Sequence, residues 1–274
     1  MSARTIGIIS IKGGVGKTSC TANLGAALAK EFGKKVLLVD ANFTAPNLGL
    51  HFGIVDPEKT LHDVLLDKVD IKDAILDHNG EFHILPAALV DRKINPFKLK
   101  QKLQELKPHY DFILLDSSPN LNEEILATMI ASDELLVVTS PDYPTLSTTM
   151  RAVNLAKQKK TPINGLILNK IRGKKFELSI QDIEGACNVP VIGVLPDEIA
   201  MLESVAKTTS VLSHKPYANT SVEFKKLAAT LIGQEYKDPR LWSKVKSLFL
   251  KDANKVDINR TLFRESLTKD SEEK

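Results

Sequence analysis

The sequence predicts an α/β protein: a doubly wound, mostly parallel sheet with helices on both faces, followed by a helical C-terminal extension. Three observations carry this. Short β-branched runs are apolar throughout instead of alternating, as in strands whose two faces are both covered. Amphipathic segments lie between them, and strand–helix alternation builds right-handed crossovers. A glycine-rich turn, SIKGGVGKTS (10–19), joins the first run to the first amphipathic segment.

Seven runs read as buried strands: TIGIIS (5–10), KVLLVD (35–40), FHILPA (82–87), DFILLD (111–116), ELLVVTS (134–140), INGLILN (163–169) and VPVIGVLP (189–196). The expected helices are TSCTANLGAALAKEF (18–32), PFKLKQKLQEL (96–106), LNEEILATMIA (121–131), TLSTTMRAVNLAKQ (145–158) and SVEFKKLAATLIG (221–233). The last of these closes the globular unit. With no internal repeat or low-complexity linker, the 274 residues divide into a domain over 1–235 and an extension over 236–274. An amphipathic helix is expected at about 239–251. Ligands in doubly wound sheets sit beyond the carboxyl ends of the strands. Lys12, Asp40, Asp116 and Asn169 all fall at such ends.

Composition narrows the function classes. Hydrophobic residues make up 43% and charged residues 26%, an ordinary balance for a globular protein. Only 5% of residues are aromatic, which argues against a stacking platform for single-stranded nucleic acid. The formal charge is +3, short of what a general DNA binder needs. Residues 237–274 hold ten Lys/Arg against seven Asp/Glu, so the extension accounts for the whole excess and the domain is near neutral. Cys20 and Cys187 are too few and too far apart for a disulfide framework or a CxxC site, and read as small buried hydrophobes. The N-terminus shows no basic region followed by an apolar stretch, and no apolar run approaches the roughly 18 residues of a membrane span. A cytoplasmic, reduced protein is expected.

The turn departs from the standard phosphate loop, which runs Gly, four free positions, then Gly-Lys-Ser/Thr. Position 11 is Ile11, not glycine, and a second lysine, Lys12, follows it. The chemistry is otherwise intact. A turn between strand and helix aims backbone N–H groups inward, and the helix dipole adds positive potential. Gly13, Gly14 and Gly16 permit that wrapping, with Val15 and Ser19 in the same cradle. Lys17 would reach the β- and γ-phosphates and the Thr18 hydroxyl would ligate Mg²⁺.

KGGVGKT, with a lysine directly before the first glycine pair, resembles the deviant Walker A loop of the MinD/ParA family of ATPases. The resemblance implies a P-loop NTPase fold, ATP and Mg²⁺ as cofactors, and a homodimer with ATP at its interface. Lys12 would then touch the partner's nucleotide while Lys17 serves its own, an arrangement that links association to nucleotide state. LLVDANFTAPNLGLHFG (37–53) resembles the family's switch I, and DFILLDSSPN (111–120) its Walker B and switch II. By the same resemblance Asp40 and Asp116 stand near Mg²⁺. Asn169 in LILNKIR (166–172) is the adenine-reading asparagine, with Arg172 beside it, and Pro196 and Asp197 in GVLPDE (193–198) flank the base. The likeness covers about residues 4–233, and SSPN and TAPNLGL resemble archaeal MinD-like members.

One departure bears on catalysis. Two residues after Asp40 the family usually carries a second aspartate that positions the attacking water; here it is Asn42. An amide orients a water but cannot take its proton. Because phosphoryl transfer rests mainly on positioning and charge, slow hydrolysis is expected.

In PRLWSKVKSLFLK (239–251), Leu241, Val245, Leu248 and Phe249 share one helical face bordered by Trp242. Arg240, Lys244, Lys246 and Lys251 supply positive charge, and the segment holds no acid. Such a helix suits an anionic membrane surface, or docking on its own domain or a partner. MinD-like proteins carry a membrane helix of this kind, though there it usually ends the chain, whereas here DANKVDINRTLFRESLTKDSEEK continues. Leu262, Phe263 and Leu267 would give a second apolar stripe.

The expectation is an ATP-switched, membrane-associated positioning ATPase with an unidentified activating or cargo protein. The alternatives are a ParA-like partition ATPase on DNA, which the neutral domain disfavours, and an ATP-binding adaptor whose tail docks proteins. Iron–sulfur relatives are excluded by the cysteines. A tyrosine-kinase relative is excluded by a tail with one tyrosine, Tyr236.

Overall fold

The computed structural model describes residues 2–89, 93–240 and 253–272. In chain order the elements are β1 (Arg4–Ile9), α1 (Lys17–Phe32), β2 (Val36–Ala41), α2 (Leu48–His51), α3 (Leu61–Leu65), β3 (Leu76–His78), β4 (Phe82–Leu85), α4 (Leu99–Gln104), β5 (Phe112–Ser117) and α5 (Glu123–Ala131). Then follow β6 (Glu134–Thr139), α6 (Tyr143–Gln158), β7 (Ile163–Ile171), α7 (Ile180–Cys187), β8 (Val191–Pro196), α8 (Ile199–Ala206), α9 (Val211–His214), α10 (Asn219–Leu231) and α11 (Ala253–Glu272).

Eight strands form one sheet in the order β3-β4-β2-β5-β1-β6-β7-β8. Every pairing is parallel except β3 with β4. Each residue of β2 and β5 is buried, as a strand covered on both faces requires. One face packs against α1, α9 and α10 through residues such as Leu24, Leu28, Phe224 and Leu227. The other face carries two clusters, one beneath α3 and α4, the second beneath α5, α6 and α7.

The doubly wound prediction holds, with corrections at its edges. β3 is an addition to the seven expected strands: the triplet LDH is half-exposed and antiparallel, so it never forms an apolar run. α6 begins at Tyr143 because the Asp142 carboxylate accepts from Thr145 N at 2.9 Å as N-cap. The helix expected at 96–106 is a 3₁₀ turn, Pro96–Lys98, followed by α4. Helices α2, α3, α7, α8 and α9 span four to eight residues each, too short for periodicity to declare. α7 has a readable signal, a capping box in which Ser179 and Asp182 exchange bonds.

Residues 241–252 lie outside the described residues, and with them the set expected to meet a membrane, Leu241, Trp242, Lys244, Val245, Leu248 and Phe249. Beyond them, α11 packs on β8 and α10. Val256 is buried, and Phe263 packs against the core. Leu262, expected in the same stripe, points outward at 59% exposure. The contact is largely polar instead. Arg260, 4% exposed, donates to the Ile192 carbonyl at 2.7 Å and pairs with Glu223 at 2.8 Å. Asn259 donates to Val191 O at 2.9 Å, so α11 satisfies the edge carbonyls of β8. Among the described residues no helix is long and apolar enough to cross a membrane.

Candidate functional site

The loop between β1 and α1 lies at the carboxyl end of the sheet, where the connections leaving the neighbours β1 and β6 run to opposite sides, toward β2 and β7. Gly14 and Gly16 hold φ of +77° and +95°, the left-handed region that glycine enters without strain. At Gly16 a Cβ would also strike the Asn169 amide, so the glycine meets two requirements at once. That amide donates to Val15 O at 2.7 Å, and Lys170 Nζ donates to Gly14 O at 2.7 Å. The end of β7 thus holds the loop in its wrapped shape.

A cavity of about 330 Å³ opens over this loop, lined by the glycines, Lys17, Thr18, Ser19, Asn42 and Asn169. Its far wall is Pro196, Asp197 and Glu198, with Met201, Leu202 and Val205 of α8 beyond. Arg172 and Asp197, both expected at the base, form an ion pair at 2.8 Å on that wall. A larger cavity, about 600 Å³, lies beside Phe43, Thr44 and Glu124. Glu123 and Glu124 wall that one with Lys93, but the loop glycines and the helix N-terminus at Lys17 line only the smaller cavity, which is therefore the better anion site.

Lys17 is buried in the loop, and desolvation lowers its pKa against the pull of Asp116. A compact cation with little water around it is ready to receive a phosphate. The Thr18 hydroxyl donates to Asp116 Oδ2 at 2.6 Å, while Asp116 Oδ1 is buried without a partner. An orphaned buried carboxylate oxygen beside a hydroxyl fits a hydrated divalent cation, to which it would accept a bond from bound water. Asp40 plays a different part. Its Oδ1 accepts from Asn42 N at 3.2 Å and its Oδ2 from Asn47 N and Leu48 N at 3.0 and 2.9 Å. It clasps the loop after β2, and would reach a cation only through water. Asn42 is buried at 5% exposure; its side chain donates to Ala45 O and accepts from Ala45 N at 3.3 Å.

Lys12 does not line the cavity. Its Nζ bonds Thr145 Oγ1 at 2.7 Å and Asp142 Oδ1 at 3.2 Å, at the start of α6. The sequence identifies the lysine but neither partner, since both lie 130 or more positions away. Both cysteines are buried and free, as expected, and burial pushes the Cys20 thiol up.

Asp40 and Asp116 face each other in register on β2 and β5. Burial raises the Asp116 pKa to about 6, only partly opposed by Thr18 and Lys17. Burial and the Asp116 charge raise Asp40 as well. The native state therefore holds protons that the unfolded chain has lost, from about pH 4 to about pH 6. This contribution to the stability of the ligand-free protein is present below that window and declines as pH rises through it. Thermal denaturation from pH 4.5 to 8 is expected to show the decline, and Asp116→Asn to flatten it. An unchanged slope in that variant would mean the pair is not its source.

The comparisons with known proteins agree with this geometry. A family model described as AAA domain matches residues 3–166. An uncharacterised ATP-binding protein of Methanocaldococcus jannaschii is 34% identical over 239 residues, covering 86% of this chain and 90% of its own length. The cell division ATPase MinD of Pyrococcus furiosus is 35% identical with a TM-score of 0.78, over 82% of this chain and 97% of that structure. The chain belongs to the MinD/ParA family of ATPases. A second MinD structure, from Pyrococcus horikoshii in complex with Mg-ADP, superposes with a TM-score of 0.79 at 32% identity, over 91% of this chain and 99% of that one. The fold is thus shared with these MinD proteins.

Proposed function

We propose that this MinD-like ATPase is a spatial-positioning switch that dimerises around ATP and, as a dimer, binds an anionic membrane surface through the basic segment at 239–251. The observation that carries the reading is the placement of Lys12. It stands outside its own phosphate cavity while Lys17 stands inside, as a lysine reserved for a partner's nucleotide must. The relatives' names point the same way, to cell division and septum placement.

In this reading the glycine amides, Lys17 and Ser19 hold the phosphates, and Thr18, Asp116 and, through water, Asp40 hold Mg²⁺. The cation neutralises charge developing on the phosphoryl oxygens. Asn169 and Arg172 with Pro196 and Asp197 enclose the base. Lys12 of each protomer crosses to the other's γ-phosphate, so dimer and active site form together. One tail binds lipid weakly; two acting together gain about 10²–10⁴ in effective affinity. An activating protein would then end the membrane-bound state by speeding hydrolysis.

The molar mass in solution tests the dimer. A dimer with ATP and a monomer with ADP are expected, and a monomer in both states would exclude the switch. Hydrolysis is slow in this reading because Asn42 cannot polarise water and its amide is engaged with Ala45. Asn42→Asp is expected to raise kcat about tenfold, a modest share of what a positioned base contributes. If turnover does not rise while the dimer persists, water positioning is not the limit.

A further inference from the structure

The far wall of the nucleotide cavity is tied to the root of the C-terminal extension. Glu198 lines the cavity and precedes α8, yet its carboxylate does not cap that helix. It turns to α10, whose own N-cap is Ala218 and has no side chain to offer. Glu198 accepts from Thr220 N at 2.9 Å, from Thr220 Oγ1 at 2.8 Å and from the Asn219 amide. The oxygen of that same Asn219 amide accepts from Arg240 Nη1 at 3.0 Å.

Arg240 is fastened from every side. Its Nε and Nη2 grip Asp238 at 2.9 and 2.6 Å, and Nη1 also donates to Tyr217 O at 3.1 Å. A second staple holds the strand of chain leading to it. Lys225, paired with Glu31 at 2.9 Å, sits 5.7 and 5.6 Å from the rings of Tyr217 and Tyr236. The stretch after α10 is therefore held at Tyr236 and again at Arg240, and the second hold lies two hydrogen bonds from the nucleotide wall.

We propose that Arg240 is a positioning residue for the nucleotide: through Asn219 and Glu198 it steadies the wall Pro196–Glu198, and a bound nucleotide in turn fixes the root of the tail. The coupling is reciprocal because any change it makes in nucleotide affinity must appear equally in the anchoring of Arg240. A wall already in place binds more tightly than one that must be ordered. Resting on the ATP-dimer reading above, the further consequence is that both tails leave the dimer from fixed points, which raises their joint avidity.

The test uses the full-length protein without lipid. Trp242 is the only tryptophan and lies two residues past Arg240 in sequence, so its emission reports on the tail root. The probe is ADP carrying a fluorescent ribose label for affinity, and unlabelled ADP for the tryptophan signal. Arg240→Gln is expected to weaken ADP binding about fivefold, at the low end of measured couplings between sites. Arg240→Lys, with one point charge for three acceptors, is expected to fall between, and Lys237→Gln, which removes a charge outside the network, to bind as the parent does. Saturating ADP is expected to shift Trp242 emission in the parent and not in Arg240→Gln. Arg240 lies in no helix, so its loss leaves the core intact, and Asn219→Ala interrupts the path at a second point. Parental affinity in Arg240→Gln, or a parental tryptophan response in either variant, overturns the coupling. ATP-dependent membrane binding that survives in Arg240→Gln with parental ADP affinity would sink the relay alone; a working relay in a protein that never binds lipid would sink the membrane reading alone.

Discussion

Replacing Lys12 with alanine is expected to lower ATP turnover by about a thousandfold and abolish the ATP-dependent dimer, because a cation supplied in trans to the transferring phosphoryl is worth about 10³ or more. Binding of ADP should change by no more than about twofold, since Lys12 lies off its own cavity and a partly exposed ion pair contributes about 1 kcal/mol at most. The pair with Asp142 leaves 38% and 43% of the two side chains exposed, so thermal stability should hold. The separation of effects is the informative part. A lysine acting within its own site would weaken ADP binding and turnover together. Measuring the ADP Kd, kcat and solution mass of Lys12→Ala in one series distinguishes the two. Loss of ADP affinity comparable to the loss of turnover would contradict the trans assignment.

Gly16→Ala is expected to weaken ATP binding about a hundredfold. The left-handed φ of +95° costs a non-glycine residue about 1–2 kcal/mol. A Cβ there also drives into the Asn169 amide and breaks its bond to Val15 O, for about 1 kcal/mol more. The loop relieves this by leaving its wrapped shape, and the nucleotide must then restore it at a cost near 3 kcal/mol, or about two decades in Kd. Gly14 provides the control. Its φ is +77°, but a Cβ added there would meet nothing within 4 Å, so Gly14→Ala bears the backbone cost alone and should lose only about tenfold. Isothermal titration of both variants checks the ratio. Equal losses would show that the contact with Asn169 carries no weight.

The parallel strands of the central sheet and the phosphate loop are legible in the sequence because both are local signals. A buried parallel strand announces itself as an unbroken apolar run, as VLLVDA and FILLDS do, and a phosphate loop by glycine and lysine spacing. What escapes is tertiary and polar. Asp142 can be read as the cap of a helix, but its pairing with Lys12 crosses 130 residues. Asn42 gives no sign in sequence that its amide folds back on Ala45. The segment of α11 shows in sequence only a short apolar stripe, Leu262, Phe263 and Leu267. Its docking depends on Arg260, a residue type whose buried minority is set by distant partners, here the Ile192 carbonyl and Glu223. Glu198 sits at the start of one helix and caps another, which no reading of α8 alone would suggest.

Sedimentation of the full-length protein with anionic liposomes, in ATP and in ADP, tests the central claim most directly. Pelleting with ATP and not with ADP, lost in a variant with Leu241, Trp242, Leu248 and Phe249 changed to polar residues, is the predicted result. Failure to pellet in either state, with ATP dimers confirmed by solution mass, would contradict it and leave the tail as a protein-docking element.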